Sequence, residues 1–270
     1  MSKTLKSRAF EYIRERMLMG EIQEGARISD VEISREMGIS RTPVREAIVQ
    51  LETKGLVEQL PGQGPRVRTL NRRDLEECFE LREILECGAV VMAAQRVTEK
   101  ELAALDQDCD GYDAVCVRMR EQGVEGPTSP WSDHLNVLDM SFHLKIIKAA
   151  KNVQLLAVVR DLHLLTRILR RRSNLPSTPY LDRLDRIRAD HRRILAAIRA
   201  RDGVAASDAM RRHIQWAMDY HLKAFDWERR SLEAEEGGGD EIEFPLNVVK
   251  ALLKLEESAD ETNSHESGTE

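Results

Sequence analysis

Asp139 and His143 stand four residues apart on a segment whose apolar stripe is Leu135, Leu138, Phe142 and Ile146. At that spacing both side chains project from consecutive turns of a helix toward one side. His191 falls on the stripe Leu184, Ile187, Ile194, Leu195 and Ile198, and His213 on the stripe Ala206, Ala209, Met210, Ile214 and Ala217. One carboxylate and three imidazoles thus occupy places where apolar residues are expected. Burying them unpaired costs several kcal/mol, whereas a divalent cation satisfies all four at once. Each also has a plainer reading. A single histidine on an apolar face is most often a hydrogen-bonded core residue, and Asp139 with His143 can be a local pair. A set of three nitrogens and one oxygen suits Zn²⁺, Ni²⁺ or Mn²⁺, and it leaves coordination positions open to water or a ligand oxygen.

A second group of residues lies near the N-terminus. Arg41 and Arg45 are four apart at the start of an amphipathic segment. They project from neighbouring turns, where arginine can pair with guanine O6 and N7 or neutralise phosphates. Ser40 and Thr42 can donate to phosphate at the helix N-terminus, where the backbone dipole also attracts anions. Gly62 and Gly64 allow a hairpin backbone to approach a minor groove, with Gln63 at its tip and Arg66 and Arg68 behind it. Taken singly, these residues fit a solvated helix face and an ordinary hairpin.

The elements that must position these groups follow from periodicity. Leu5, Ala9, Ile13 and Met17 recur every four residues and predict a helix over 4–19. Ser29-Asp-Val-Glu32 is a capping-box pattern opening a short helix, 30–37, which Gly38 stops. Ser40 or Thr42 can cap the next helix, which carries Pro43 in its first turn and the face Val44, Ala47, Ile48 and Leu51. Leu56–Leu60 and Arg66–Arg68 flank Pro61-Gly-Gln-Gly-Pro65 and read as a hairpin. Helix–helix–helix–hairpin is a winged helix-turn-helix, whose third helix fits a major groove about 12 Å wide. Segments 74–95, 99–121, 134–149, 152–172, 178–200 and 204–230 predict six bundled helices. The chain therefore divides into a head over 1–70, a helical domain over 74–230 and an acidic, flexible tail over 231–270.

Composition agrees with a mainly α protein. Of 270 residues, 41% are hydrophobic and 33% charged, and the 12 aromatics are too few to dominate a core. The net charge of −6 is concentrated in the tail, since from Glu233 onward 12 residues are acidic and 2 basic. Residues 1–73 carry 14 Lys and Arg against 10 Asp and Glu, so an acidic total does not argue against nucleic-acid binding. Four cysteines without a CxxC pair form no disulfide framework and read as small apolar residues. The lack of a secretory h-region and of any apolar run near ~20 residues predicts a soluble, cytoplasmic protein without a membrane span.

The stretch MGISRTPVREAIVQLETKGLVEQLPGQGPRV, residues 37–67, resembles the signature of the GntR family of bacterial transcription regulators. FELREILE (79–86), DMSFH (139–143), ADHRRILAAI (189–198) and RRHI (211–214) resemble the all-helical FCD type of ligand domain in the FadR-like branch. Val31 departs from relatives that place a DNA-touching arginine there.

The resemblance implies a homodimer on palindromic operator DNA, read by Ser40, Arg41, Thr42, Arg45, Gly62, Gln63 and Gly64. Asp139, His143, His191 and His213 match the metal pattern of the FCD type. The family also implies a small carboxylate effector beside the metal, and repression relieved by it. Arg82 either lines the effector pocket or pairs with Glu86 four residues on. Trp216, one turn after His213, either walls the cavity or belongs to the core. His134, His163, His221 and His265 match nothing in the pattern and read as surface or structural residues. Two other readings share the same ligands: a metal-dependent hydrolase fused to a DNA-binding head, and a regulator whose metal is purely structural.

Overall fold

A computed structural model describes residues 4–18, 21–69, 71–126, 131–168 and 179–234. The acidic tail beyond Ala234 and the Arg170–Arg172 run lie outside the described residues. The chain begins with three helices, α1 (Leu5–Leu18), α2 (Asp30–Met37) and α3 (Arg41–Thr53). A hairpin of β1 (Val57–Leu60) and β2 (Gly64–Val67) follows, antiparallel, with Val57 opposite Val67 and Leu60 opposite Gly64.

The local signals explain this head. Ser29 caps α2 by accepting from the Glu32 amide at 3.3 Å, and Gly38 leaves it at φ 65°. Ser40 occupies the N-cap of α3, but its hydroxyl makes no capping bond, so it faces outward unused. Gly62 and Gly64, at φ 75° and 81°, supply the left-handed backbone that the wing turn requires. Ala9, Phe10, Ile13 and Met17 of α1 pack with Ile33 of α2, Val44, Ala47, Ile48 and Leu51 of α3, and Val57 and Val67 of the wing. Leu5 does not join them. It is 46% exposed, because the stripe of α1 meets α3 only from Ala9 onward.

Arg66 and Arg68, expected to support the wing tip, each have a partner within the protein. Arg66 donates to the Gly25 carbonyl at 2.7 Å, and Arg68 pairs with Asp74 at the start of the next helix. Both guanidiniums brace the wing from behind.

Six long helices follow: α4 (Arg72–Arg96), α5 (Glu99–Glu121), α6 (Trp131–Ala149), α7 (Val153–Ile168), α8 (Tyr180–Arg199) and α9 (Gly203–Ala234). Reciprocal capping boxes, Asn71 with Asp74 and Thr98 with Glu101, start α4 and α5. α4 is the axis of the bundle and packs against α6, α7, α8 and α9. Phe79, Val90, Phe142, Ile146, Ile194, Ile198, Met210 and Ile214 are fully buried in one core. Alanines 89, 93, 206 and 209 keep the α4 and α9 sides of that core thin, so the two helices run close together. All four cysteines are buried thiols. Burial pushes Cys109 up to about 12 and Cys87 to about 11, which leaves them unreactive. Among the described residues no helix is long and apolar enough to cross a membrane.

Candidate metal centre and nucleic-acid interface

Helices α6, α8 and α9 bring Asp139, His143, His191 and His213 together. One ligand atom from each lies within 4.8 Å of all the others. The residues come from positions up to 74 apart in the chain, and helical period alone aims each one inward. His143, His191 and His213 are at most 4% exposed, whereas 36% of the Asp139 side chain is open. The cluster is therefore closed on the histidine side and accessible at Asp139.

Its hydrogen bonding is inconsistent without a further group. His143 Nε2 and His213 Nε2 are 3.2 Å apart, so in neutral rings one must donate to the other. His143 Nδ1 lies 2.7 Å from Glu86 Oε2, and His213 Nδ1 lies 3.7 Å from Asp190 Oδ2. Whichever ring donates through Nε2 is left turning an Nδ1 lone pair toward a carboxylate. His213 Nδ1 and His191 Nε2 are both buried without a well-formed hydrogen bond, His191 Nε2 facing Asp139 Oδ1 at 3.4 Å. A cation accepting both Nε2 lone pairs removes the conflict, because both Nδ1–H groups then face carboxylates. The four residues fit a metal on chemistry as well as on position.

The electrostatics point the same way. Burial draws His191 down to about 4, against the pull of Asp139, and it lowers His143 against the pull of Glu86. These rings are neutral near pH 7, the state a metal ligand needs. Burial opposes the Asp139 charge, but contact with His191 and the fields of His143 and His213 hold its carboxyl well below the usual range.

A second cluster shares His143. Glu86 is fully buried on α4, although in the sequence it stands out only as a partner for Arg82. Its Oε2 accepts from His143, and its Oε1 lies 2.8 Å from Arg82 Nε and 3.0 Å from His163 Nε2. Arg82 is thus committed to Glu86 and stands behind the cluster. His163, on α7, is a buried structural partner. Trp216 is half-buried on α9, stacked on Tyr220 at 5.9 Å with Arg186 above its ring. His221 stacks on Phe79 at 5.6 Å, and His134 is exposed. His265 lies outside the described residues.

At the head, Ser40, Arg41, Thr42 and Arg45 are all exposed on one end of α3, and Gln63 is exposed at the wing tip between Gly62 and Gly64. Arg41 donates to both carboxylate oxygens of Asp30 through Nε and Nη2 at 3.0–3.2 Å, and Arg45 Nε donates to Asp30 Oδ2. In the sequence, Asp30 stands out only as the opening residue of α2. The tight turn between α2 and α3 sets it beneath both guanidiniums. Burial works against its charge, but the two arginines hold its carboxyl below the ordinary value. Arg41 and Arg45 remain half-exposed or more, side chains 51% and 62% open, so their outer nitrogens face solvent as one basic tip.

A winged helix-turn-helix with an arginine-tipped third helix, carried on a six-helix bundle that holds a buried histidine cluster, defines a DNA-binding regulator. Comparison with known proteins gives the family. Residues 5–67 match the profile of bacterial regulatory proteins of the gntR family, and residues 77–215 match the FCD domain. The chain belongs to the GntR family and carries an FCD domain; it is a DNA-binding transcriptional regulator and not an enzyme.

It is 33% identical over 138 residues to the Nta operon transcriptional regulator of Aminobacter aminovorans, covering 51% of this chain and 60% of that protein. It is 28% identical over 213 residues to a Paenarthrobacter nicotinovorans protein named "Probable D-xylose utilization operon transcriptional repressor", covering 78% and 86% of the two chains. Among solved structures, E. coli McbR/YncC superposes with a TM-score of 0.64 at 20% identity, over 82% of this chain and 99% of that one, and shares the fold.

Proposed function

We propose that this regulator holds one divalent cation (Zn²⁺, Ni²⁺ or Mn²⁺) on Asp139, His143, His191 and His213, and that a small carboxylate effector binds beside it. The observation that carries this reading is the conflict of lone pairs in the cluster, which a cation resolves and added protons would resolve only by charging buried rings. The opening at Asp139 supports an effector oxygen approaching from that side, with the three histidines closing the other. When bound, the cation supplies a Lewis-acidic anchor for a carboxylate.

The head reads a palindromic operator as part of a homodimer, since one domain of this size offers few base contacts. Arg41 and Arg45 face base edges or phosphates, Ser40 and Thr42 face phosphate, and the Gly62-Gln63-Gly64 tip enters the adjacent groove. Effector binding shifts the bundle between two arrangements that place the paired heads differently. Repression is the sense supported by the repressor name among its relatives, and effector binding would release it.

The test is a thermal-shift series on the full chain. Protein stripped with a chelator is titrated with Zn²⁺, and then with a panel of small carboxylates in the presence of Zn²⁺. A rise in midpoint with Zn²⁺ is expected, matching the stabilisation of about 2.7 kcal/mol that mass action gives at a hundredfold excess over Kd. A further rise with one carboxylate class, absent in His191→Ala, is expected next. No response to Zn²⁺, Ni²⁺ or Mn²⁺ overturns the metal. A response to metal without any carboxylate response leaves a purely structural metal.

A further inference from the structure

Glu86 joins three helices at one point. It sits on α4 and binds Arg82 of the same helix, His143 of α6 and His163 of α7. All three contacts are within 3.0 Å, and Glu86 has no exposed surface. Two of the three helices are also attached to the reading head. α4 follows the wing directly, and Arg68, just past β2, pairs with Asp74 in its first turn. α7 packs against α1, the first helix of the head. His143 alone of the three partners also belongs to the candidate metal centre. The Nδ1 side of a candidate ligand is thus fixed by a carboxylate that clamps together the helices on which the head is mounted.

We infer that Glu86 is a positioning residue that links occupancy of the histidine cluster to the placement of the head, and that the Glu86–His163 contact is the link to α7. This rests on the metal reading given above. With the cation in place, His143 keeps its proton on Nδ1 and donates it to Glu86 Oε2. The other oxygen then holds His163 and Arg82. With the cluster empty, the Nε2–Nε2 contact makes the alternative His143 tautomer accessible, and that tautomer turns a lone pair on Glu86. The carboxylate loses a donor, and the clamp between α4 and α7 loosens. Such an element has two discrete hydrogen-bonded arrangements, one of which the cation favours.

The experiment compares two polar variants at a position that is not itself a candidate metal ligand. His163→Gln keeps an N–H near the place of the ring Nε2, while His163→Asn is one methylene short of it. Each full-length chain is stripped and reloaded with Zn²⁺. Its Zn²⁺ Kd is read by competition with a chromogenic chelator. Its affinity for an operator selected from a random DNA pool is read with and without Zn²⁺.

For the unaltered chain, Zn²⁺ is expected to change operator affinity by about 5–150-fold, the range of ordinary coupling between sites. In His163→Asn the ratio collapses toward 1 while Zn²⁺ Kd stays within a few-fold, and His163→Gln restores the ratio. Glu86→Gln weakens Zn²⁺ binding by about 10–100-fold, as loss of an outer carboxylate does. Retention of the full Zn²⁺-dependent ratio in a folded His163→Asn overturns the link. So does a parent chain that binds Zn²⁺ with no change in operator affinity, and in that case the metal reading stands. A parent chain that binds no metal at all removes the metal reading and this inference with it.

Discussion

The two histidine–carboxylate clusters of the bundle share His143 and are satisfied in opposite ways. Around Glu86, three donors meet one buried carboxylate, and each contact is short. Nothing further is needed there, and a cation would have to displace protons already well placed. Around Asp139, the polar groups cannot all be matched at once. Two Nε2 atoms touch at 3.2 Å, His191 Nε2 makes no well-formed hydrogen bond, and the carboxylate is partly open. Both sets bring possible ligand atoms within 4.8 Å of one another. Proximity therefore does not distinguish a metal site from a structural ion-pair node. The accounting of donors and lone pairs does, since an unpaired buried polar atom is costly and a paired one is not.

The largest test of that contrast is composition. Replacing His143 and His213 together by Ala is expected to remove all bound metal, while Glu86→Gln and His163→Gln keep one ion per chain when saturated. Elemental analysis of purified protein decides it, and full metal content in the double variant would place the site elsewhere.

Next comes stability of the stripped protein. Glu86→Ala leaves Arg82, His143 and His163 without their shared acceptor. A loss of about 3–5 kcal/mol is expected, the usual result of removing one partner from a buried ion pair. Urea denaturation with chelator present measures it, and a loss under 1 kcal/mol would mean that the node is not satisfied as described.

A smaller effect separates the clusters by pH. In the stripped protein, burial lowers His191 from 6.5 to about 4, so the unfolded chain takes up its proton first as pH falls. Stability is therefore full above about 6.5 and is lost as the pH drops toward 4, by on the order of 2–3 kcal/mol from this ring. Denaturation at pH 7, 5.5 and 4.5 follows it. Zn²⁺ should deepen the slope, since protons then also compete with the metal for the same ring. A flat profile in chelator would show the ring to be solvated.

The smallest effect concerns the second carboxylate behind a candidate ligand. Asp190 stands 3.7 Å from His213 Nδ1, a full ångström farther than Glu86 from His143, and already accepts from Arg186 and Arg193. Asp190→Asn is expected to weaken Zn²⁺ by about tenfold at most, the low end for an outer group, and less than Glu86→Gln. The reverse ranking in chelator competition would mean that the two supports exchange roles when the site is filled.

Much of this molecule is legible along the chain. All six predicted bundle helices occur with boundaries within a few residues wherever they are described. The wing turn falls on the two glycines expected, and the four candidate ligands meet. These features are local, or repeat at the helical period, or belong to a recognised motif. Glu86 was not legible as a node. With Arg82 four residues before it, it reads as one of many surface pairs on a charged helix, and nothing near it in sequence hints at His143 or His163, 57 and 77 residues away. Asp30 was hidden in the same way behind its place in a capping pattern. For Arg66 and Arg68, the sequence placed both behind the wing tip but did not show their partners, the Gly25 carbonyl and the Asp74 carboxylate.

The order of amino acids by itself determined where helices start and stop, which faces are apolar, and that four polar side chains would have to sit on those faces. Those outcomes depend on backbone preference and a period of 3.6 residues, and both act over one or two turns. Only the packed bundle decided which buried groups find partners. Whether a carboxylate ends surrounded by donors, as Glu86 does, or an imidazole ends facing another's lone pair, as His143 faces His213, depends on atoms delivered by helices far apart in the chain. Hydrogen bonds that stop working beyond about 3.5 Å cannot be counted until those helices have met.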